Sequence, residues 1–254
     1  LNDADPLIRR ASVTALAPLP VEQRIALVAP LLDDPVRTVR IEAAATLAGA
    51  PDTALNPAQR ASFDRAAAEF ETVQRYNADR PEARTALGGF EAQRGRAEAA
   101  EAELRAAIAM DPDYVPAYVN LADLRRSQAR DADAEAILRE GLDHAPKSAA
   151  LQHAHGLALV RLKRTPEALD ALARAAQLAP DDARYAYVYA VALNSTGNTR
   201  AALAEIDRAL ARHPADRNLL SAGAAFARDA GDSTRMATYT KRLAALGAAP
   251  GASR

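Results

Sequence analysis

The sequence predicts an all-α fold, a right-handed superhelix (a solenoid) of stacked helix hairpins that is preceded by a shorter kind of helical repeat. First, 49% of the 254 residues are apolar but only 4% are aromatic, with no Trp. Such a composition favours closely packed helices over sheets. Second, four prolines follow one another at intervals of 34 residues, and third, a motif near the N-terminus recurs after 31 residues. Fixed periods of this length are typical of repeat architectures. The prolines are Pro112, Pro146, Pro180 and Pro214.

Composition and charge exclude several classes of protein. The 32 Lys and Arg residues nearly balance the 33 Asp and Glu residues, for a net charge of −1, so bulk electrostatic binding of nucleic acid is not expected. The absence of Cys excludes disulfides, thiolate metal sites, cysteine nucleophiles and thioether-linked haem. No apolar run is long enough to span a membrane. The chain opens on Leu1 without Met, so a fragment or a processed chain is expected.

The proline period places five units in one frame, at residues 81–114, 115–148, 149–182, 183–216 and 217–246. The twenty-fourth position is large in the first four units, and Pro at the thirty-second position is expected to end the second helix of each hairpin. The eighth position is always small, which lets two helix backbones approach closely. These small residues are Gly88, Ala122, Gly156, Ala190 and Ala224.

The turn inside the units is marked by glycine. Gly95, Gly197 and Gly231 occupy one shared position of the frame. A left-handed residue commonly ends a helix, and glycine adopts that conformation without steric cost. A left-handed turn is therefore predicted at this position.

The units resemble the tetratricopeptide (TPR) repeat, whose pattern W-x2-L-G-x2-Y, then A-x3-F, then P is degenerate here but in register over residues 81–246. The aromatic at the fourth position survives only as Tyr118, and the last unit lacks the closing Pro and carries Thr240 at an expected core position. The resemblance implies that each unit is an antiparallel helix pair and that the first helices line a concave groove.

Residues 1–49 resemble short HEAT-type helical repeats. Asp3-x4-Ile8-Arg9-x2-Ser12-x3-Leu16 aligns with Asp34-x4-Val39-Arg40-x2-Ala43-x3-Leu47. Residues 50–80 are predicted to form a linker and a bridging helix, capped by Asn56-Pro57 and running to about Tyr76, that covers the open end of the TPR units. Residues 247–254 are predicted to be a disordered tail.

The TPR resemblance also implies which side chains face the groove. Asn120 is the most suggestive of them, because an Asn at this position in peptide-binding TPRs holds a peptide backbone through its amide; the alternative is an ordinary polar helix residue. Arg126, Arg161 and Arg184 suggest a cationic strip for an acidic segment, or else a solvated face with ion pairs. The predicted groove residues are Val119, Asn120, Asp123, Arg126, His153, Arg161, Arg184, Tyr187 and Asn194.

A run of three tyrosines and a pair of histidines lie on the first helices, and each side chain is expected to face either the core or the groove. Tyr185, Tyr187 and Tyr189 alternate, and in a helix they point in different directions; Tyr189 is expected in the core and Tyr187 towards the groove. His153 and His155 also diverge at this spacing, so a metal site is not predicted. His155 is expected to pack in the core and His153 to face the groove.

No catalytic, phosphate-binding or dinucleotide motif is present, so neither an enzyme nor a cofactor is predicted. The expected function is a non-catalytic scaffold that binds a protein or peptide segment in the groove. The alternative is a structural or assembly module that orients a fused upstream domain or self-associates through its terminal repeat.

A second resemblance concerns the arrangement of HEAT-like units before TPRs, with stretches such as Pro116-Ala117-Tyr118-Val119-Asn120-Leu121 and Arg184-Tyr185-Ala186-Tyr187-Val188-Tyr189. It is similar to the C-terminal tails of bacterial TPR proteins with a multihaem cytochrome region. This resemblance implies upstream haem sites, an export signal and an extracytoplasmic, periplasmic location; without it, a cytoplasmic location is expected.

Overall fold

The computed structural model describes residues 1–247, and every regular element in that range is helical. The all-α class is therefore confirmed. Two short 3-10 segments, Ala29–Asp33 and Asp52–Ala54, accompany the α-helices. The α-helices are α1 (Pro6–Ala15), α2 (Val21–Val28), α3 (Arg37–Leu47), α4 (Pro57–Tyr76), α5 (Pro81–Gln93), α6 (Ala97–Met110), α7 (Val115–Ser127), α8 (Asp131–His144), α9 (Ala149–Arg161), α10 (Thr165–Leu178), α11 (Ala183–Ser195), α12 (Thr199–Arg212), α13 (Arg217–Asp229) and α14 (Ser233–Gly247).

The chain forms two compact units, the N-terminal unit Leu1–Leu124 and the C-terminal unit that starts at Arg125. Their boundary lies within α7, inside the predicted repeat 115–148. Gly247, the first residue of the predicted disordered tail, ends α14, and residues 248–254 of that tail lie outside the described residues. None of the helices described is long and apolar enough to cross a membrane.

Helices α1 and α3 of the N-terminal unit share one arrangement of hydrogen bonds around an arginine. Arg9 donates two hydrogen bonds to the Asp34 carboxylate, at 2.8 and 2.9 Å, and one to the Asp3 carbonyl. Arg40 likewise donates to the Glu69 carboxylate, at 3.0 and 2.7 Å, and to the Asp34 carbonyl. The Arg9 guanidinium lowers the pKa of Asp34. Bidentate pairs thus link α1 to the residue that follows the first 3-10 segment, and α3 to α4. The HEAT-like assignment of residues 1–49 stays a prediction.

Helix α4 lies between the first helices and the repeat hairpins of the N-terminal unit. Its start is a capping box: the Asn56 side chain accepts from the Gln59 backbone N–H, and the Gln59 side chain accepts from the Asn56 N–H. Its buried face includes Phe63 and Phe70. Phe70 stacks on Phe90 of α5 with ring centroids 4.5 Å apart, so α4 shares one apolar core with α3 and α5.

The period-34 prolines lie between helices, as predicted. In each case the second helix ends two residues before the proline and the next first helix begins three residues after it. The intervening residue is Asp111, Ala145, Ala179 or His213, and its φ lies between −142° and −119°. The proline ring disfavours helical backbone at the residue before it, which explains why these helices end there.

The eighth position makes the close helix contact that the frame predicts. A Cβ added to Gly88 would lie 2.7 Å from Leu104 Cγ and 3.1 Å from the Ala100 carbonyl oxygen. A Cβ added to Gly156 would lie 2.7 Å from Leu172 Cγ. Both 2.7 Å distances to a leucine Cγ are too short for non-bonded carbon atoms. The α5–α6 and α9–α10 hairpins are therefore closed by the same pairing of a glycine with a leucine.

The last hairpin, α13–α14, makes this contact one residue earlier in both helices. Thr240, at the expected core position, is exposed, whereas Tyr239 is buried. Space for the Tyr239 ring comes from Gly223, at which an added Cβ would lie 3.0 Å from the ring. The Tyr239 hydroxyl donates to the Asp207 carboxylate, and burial, together with this bond, raises the pKa of Tyr239.

The predicted left-handed turns are confirmed at Gly95, Gly197 and Gly231, where φ is 74°, 82° and 72°. The equivalent residues of the two intervening turns, Ala129 and Lys163, adopt the same conformation with φ of 58° and 59°. In every turn the next N–H bonds back to a carbonyl five residues earlier, as Arg164 does to Leu159 at 2.9 Å. This Schellman geometry requires a left-handed residue even where no glycine is available.

Replacing Ala129 or Lys163 with glycine is expected to raise the free energy of unfolding by about 0.5–1 kcal/mol each, because a side chain in left-handed backbone is strained. Urea denaturation monitored by far-UV circular dichroism measures the change. Gly197→Ala is the matched control and should lower stability by a similar amount. Equal stability of all three variants would contradict the strain argument.

Candidate functional site

The N-terminal unit contains a cleft of about 410 Å³ that we call the N-terminal cleft. Helices α3, α4, α5 and α7 and the turn before α7 line it, and the predicted groove residue Asn120 is among the lining side chains. The lining residues are Ala45, Phe70, Glu82, Thr85, Ala86, Gly89, Phe90, Gln93, Tyr114 and Asn120.

Sequence reasoning missed most of this cleft. Five of the six α5 residues in it occupy frame positions that the TPR resemblance assigns to the groove in later units, and the sixth, Phe90, does not. The same positions in the unit 81–114 are Glu82, Thr85, Ala86, Gly89 and Gln93. Phe70 and Ala45, by contrast, come from helices before the TPR frame, and no period of the sequence indicates them.

The polar groups of the N-terminal cleft have few partners. Thr85 is only 5% exposed, and its buried hydroxyl has no hydrogen-bond partner within the described residues. Burial and the negative charges of Glu82 and Asp111 raise the pKa of Tyr114. The other predicted residues of this unit lie outside the cleft: Val119 is half-buried and Asp123 is exposed.

Three exposed aliphatic side chains of the C-terminal unit lie on the first helices of its repeats, and we call them the aliphatic stripe. Leu157 and Val160 of α9 and Val191 of α11 are 41%, 48% and 38% exposed. Leu157 and Val191 occupy the same frame position in successive repeats, and Val160 is three residues beyond Leu157 on its helix. The TPR resemblance assigns these positions to the groove. The predicted groove residue Asn194 follows Val191 by three residues; its buried Oδ1 has no hydrogen-bond partner within residues 1–247.

The predicted arginines are exposed but have acidic neighbours. Arg161 donates to both oxygens of Asp131, at 2.5 and 3.1 Å, and this bond, with the charges of Arg161 and Arg126, lowers the pKa of Asp131. Arg184 lies 3.5 Å from Asp182. The structure therefore shows ion pairs along this face, and the cationic strip stays a prediction.

His153 is half-buried against α11. The centroid of its ring lies 4.9 Å from the centroid of the Tyr185 ring. The Arg184 guanidinium also lies 4.9 Å from the Tyr185 ring centroid. Its buried Nδ1 has no hydrogen-bond partner in the described part of the chain. Burial and the Arg184 charge lower the pKa of His153, so the neutral imidazole is favoured.

The remaining predicted residue, Tyr187, shares with Arg184 an open cleft of about 680 Å³. The Asp182 and Asp216 carboxylates in this cleft accept hydrogen bonds from the backbone N–H groups of Arg184 and Leu219. They therefore serve as helix caps. The structure brings Tyr187 and Arg184 together, whereas Arg161 pairs with α8 instead.

Two neighbouring side chains are less deeply buried than expected. Tyr185 rather than Tyr189 is the deeply buried tyrosine, at 6% exposure, because it packs beside His153. Tyr189 is half-buried and packs against the apolar core of the C-terminal unit; burial and the charge of Glu205 raise its pKa. His155 is also half-buried rather than in the core, and its Nε2 lies 3.1 Å from the buried Glu135 carboxylate.

No cluster of three or more His, Asp or Glu side chains that could hold a metal lies within the described residues. The polar groups described above are separated between two units, and none of the predicted groove residues forms a pair of nucleophile and base. What the two surfaces present are amides, aliphatic groups and aromatic rings. These groups are suited to contacts with a polypeptide.

Comparison with known proteins identifies the repeats. One tetratricopeptide-repeat family model matches residues 91–157, and a second matches residues 52–115 and 153–217. The second model alone covers more than half of the chain, and its first match includes α4. No curated protein matches this chain significantly in sequence.

Three solved structures show the same fold. PilW, described as a widely conserved type IV pilus biogenesis factor, has a TM-score of 0.58 and 17% identity over 72% of this chain and 86% of its own. MamA has a TM-score of 0.54 and 19% identity over 63% and 94%. YrrB, described as a TPR protein with an unusual peptide-binding site, has a TM-score of 0.51 and 16% identity over 70% and 91%. The helix hairpins, their 34-residue frame and the family models agree, and the chain belongs to the tetratricopeptide-repeat family.

Proposed function

We propose that this protein is a non-catalytic scaffold that binds a protein or peptide segment along the first helices of its repeats. The aliphatic stripe carries the proposal, because Leu157, Val160 and Val191 are exposed while most large apolar side chains of the C-terminal unit are buried. Water contact with such groups is unfavourable, and covering them with a partner releases that cost. The peptide-binding site of YrrB supports this reading for a fold of the same kind.

The polar neighbours of the stripe suit a polypeptide partner. The Asn194 Oδ1 is buried without a hydrogen-bond partner among the described residues, which costs free energy unless a donor arrives. A backbone N–H of a bound segment is such a donor. Apolar side chains of the segment then contact Leu157 and Val191, while its backbone satisfies the amide.

A selection of displayed random peptides against the purified protein tests the proposal. Leu157→Asp is expected to weaken binding of the selected peptides about tenfold or more, because it places a charge in the buried centre of the interface. Leu178→Asp is the matched control: Leu178 is 42% exposed, like Leu157, but it ends α10, a second helix. Equal losses in both variants, or a selection that yields no peptide, would contradict the proposal.

Self-association through the terminal repeat has less support as an alternative. The exposed residues of α14 include Thr234, Arg235, Thr238 and Lys241, and a polar outer face is typical of the helix that ends a repeat array. The fused cytochrome region and the periplasmic location implied by the second resemblance stay predictions.

A further inference from the structure

We propose that the N-terminal cleft binds a peptide segment and selects a lysine or arginine side chain of that segment. This inference rests on the proposed function and adds to it the chemical class of the partner. It depends on three features of the N-terminal unit: an unpaired carboxylate, a set of polar groups without partners, and a glycine that packing does not require.

The carboxylate is Glu82, which is exposed at the rim of the cleft. It forms no ion pair within residues 1–247, and none of the described residues that line the cleft is Lys, Arg or His. Other glutamates of this unit do pair with arginine: Glu69 with Arg40, and Glu103 with Arg84, which is two residues from Glu82 on the same helix. Glu82 is therefore a negative charge that is available to a partner, and a cation complements it.

The second feature is a set of four neutral polar side chains that line the cleft: Thr85, Gln93, Tyr114 and Asn120. None of them makes a side-chain hydrogen bond within the described part of the chain. Buried polar groups are nearly always bonded, and the Thr85 hydroxyl is buried. Amide and hydroxyl groups offer both donors and acceptors, as an extended peptide backbone requires.

The third feature is Gly89, in the interior of α5. The nearest atom to a Cβ added at Gly89 is Asn120 Nδ2, at 3.8 Å, so helix packing leaves room for a side chain. Glycine in a helix interior is destabilising relative to alanine, and here no close contact inside the unit offsets that cost. Bare backbone permits close approach of another chain, and the stacked Phe70 and Phe90 rings provide an apolar wall beside it.

Glu82 also lies in the first turn of α5, where any acidic residue favours the helix dipole. Glu98 provides the matched control for this role, because it is an exposed glutamate in the first turn of α6. Substitutions at Glu98 change the dipole interaction equally but lie outside the cleft.

The test uses peptides recovered from the display selection as probes, each remade with its Lys or Arg replaced by Gln and by Glu, in fluorescence-anisotropy titrations of the full chain. We expect Lys or Arg to be enriched among the recovered peptides. Glu82→Gln should weaken binding of the cationic peptides about fivefold and leave the Gln-containing peptides unchanged. Glu82→Lys should reverse the preference in favour of the Glu-containing peptides, while Glu98→Gln and Glu98→Lys should bind as the parent does.

Gly89→Leu supplies a steric test that is independent of charge, since its side chain would enter the cleft and weaken all three peptide series. Thermal unfolding of each variant checks that it folds, and the Glu82 variants decide the question if Gly89→Leu does not. If every recovered peptide responds equally to the Glu82 and Glu98 substitutions, this inference alone is overturned. Recovery of no peptide would overturn it together with the proposed function.

Discussion

Leu172→Ala is expected to lower the free energy of unfolding by about 2–5 kcal/mol, the range for a leucine removed from a well-packed core. Leu172 is 1% exposed and fills the space beside Gly156, in contact with the backbone of the facing helix. Since neighbouring hairpins share their apolar faces in a repeat protein, the loss should be felt throughout the C-terminal unit. Leu172→Arg should be more destabilising still, because it places an unpaired charge there.

A double-mutant cycle with Gly156→Ala tests the contact itself. Alone, Gly156→Ala introduces a Cβ 2.7 Å from Leu172 Cγ and should cost about 1–3 kcal/mol. In the double variant this Cβ enters the space that Leu172 vacates, so the combined loss should be smaller than the sum by about 0.5–3 kcal/mol. Urea denaturation provides all four free energies. Strict additivity would show that the two side chains do not meet, and Leu178→Ala, at an exposed leucine, should change stability little.

The neighbouring substitutions Gly88→Ala and Gly89→Ala are expected to change stability in opposite directions. Gly88→Ala should lower the free energy of unfolding by about 1–3 kcal/mol, because its Cβ overlaps Leu104 and approaches the Ala100 carbonyl. Gly89→Ala should raise it by about 0.5–1 kcal/mol, because alanine is the better helix former and its Cβ meets no atom closer than 3.8 Å.

The two substitutions form a matched comparison, because Gly88 and Gly89 are adjacent in the same helix and have the same intrinsic helix propensity. Differential scanning calorimetry or urea denaturation of the two single variants measures the difference in their free energies of unfolding. Destabilisation of both variants by the same amount would show that Gly89 is packed, and this result would also remove one support of the peptide cleft. Stabilisation by both would show that the α5–α6 contact at Gly88 is loose.

The candidate site was predictable only where the repeat frame determines it. The frame places Asn120, Tyr187 and Asn194 on first helices, and each is half-buried there. It equally points to Glu82 and Gly89 once its positions are applied to the unit 81–114. It does not predict that Tyr185 is buried more deeply than Tyr189, because their burial depends on the side chains near them: His153 of the preceding repeat beside Tyr185, and Glu205 of the same repeat near Tyr189.

By itself, the sequence determined the helix ends before the four period-34 prolines and the left-handed turns at Gly95, Gly197 and Gly231. Proline geometry, glycine conformation and the size of the eighth residue act over a few bonds, so a period-34 pattern contains them in full. Only the tertiary structure decided the features that join distant residues: the Arg161–Asp131 pair, the left-handed turns at Ala129 and Lys163, and the Gly223–Tyr239 contact. In these places the packing of neighbouring helices outweighs local preference, because a closed hairpin requires a turn and a filled core whichever residues the chain supplies.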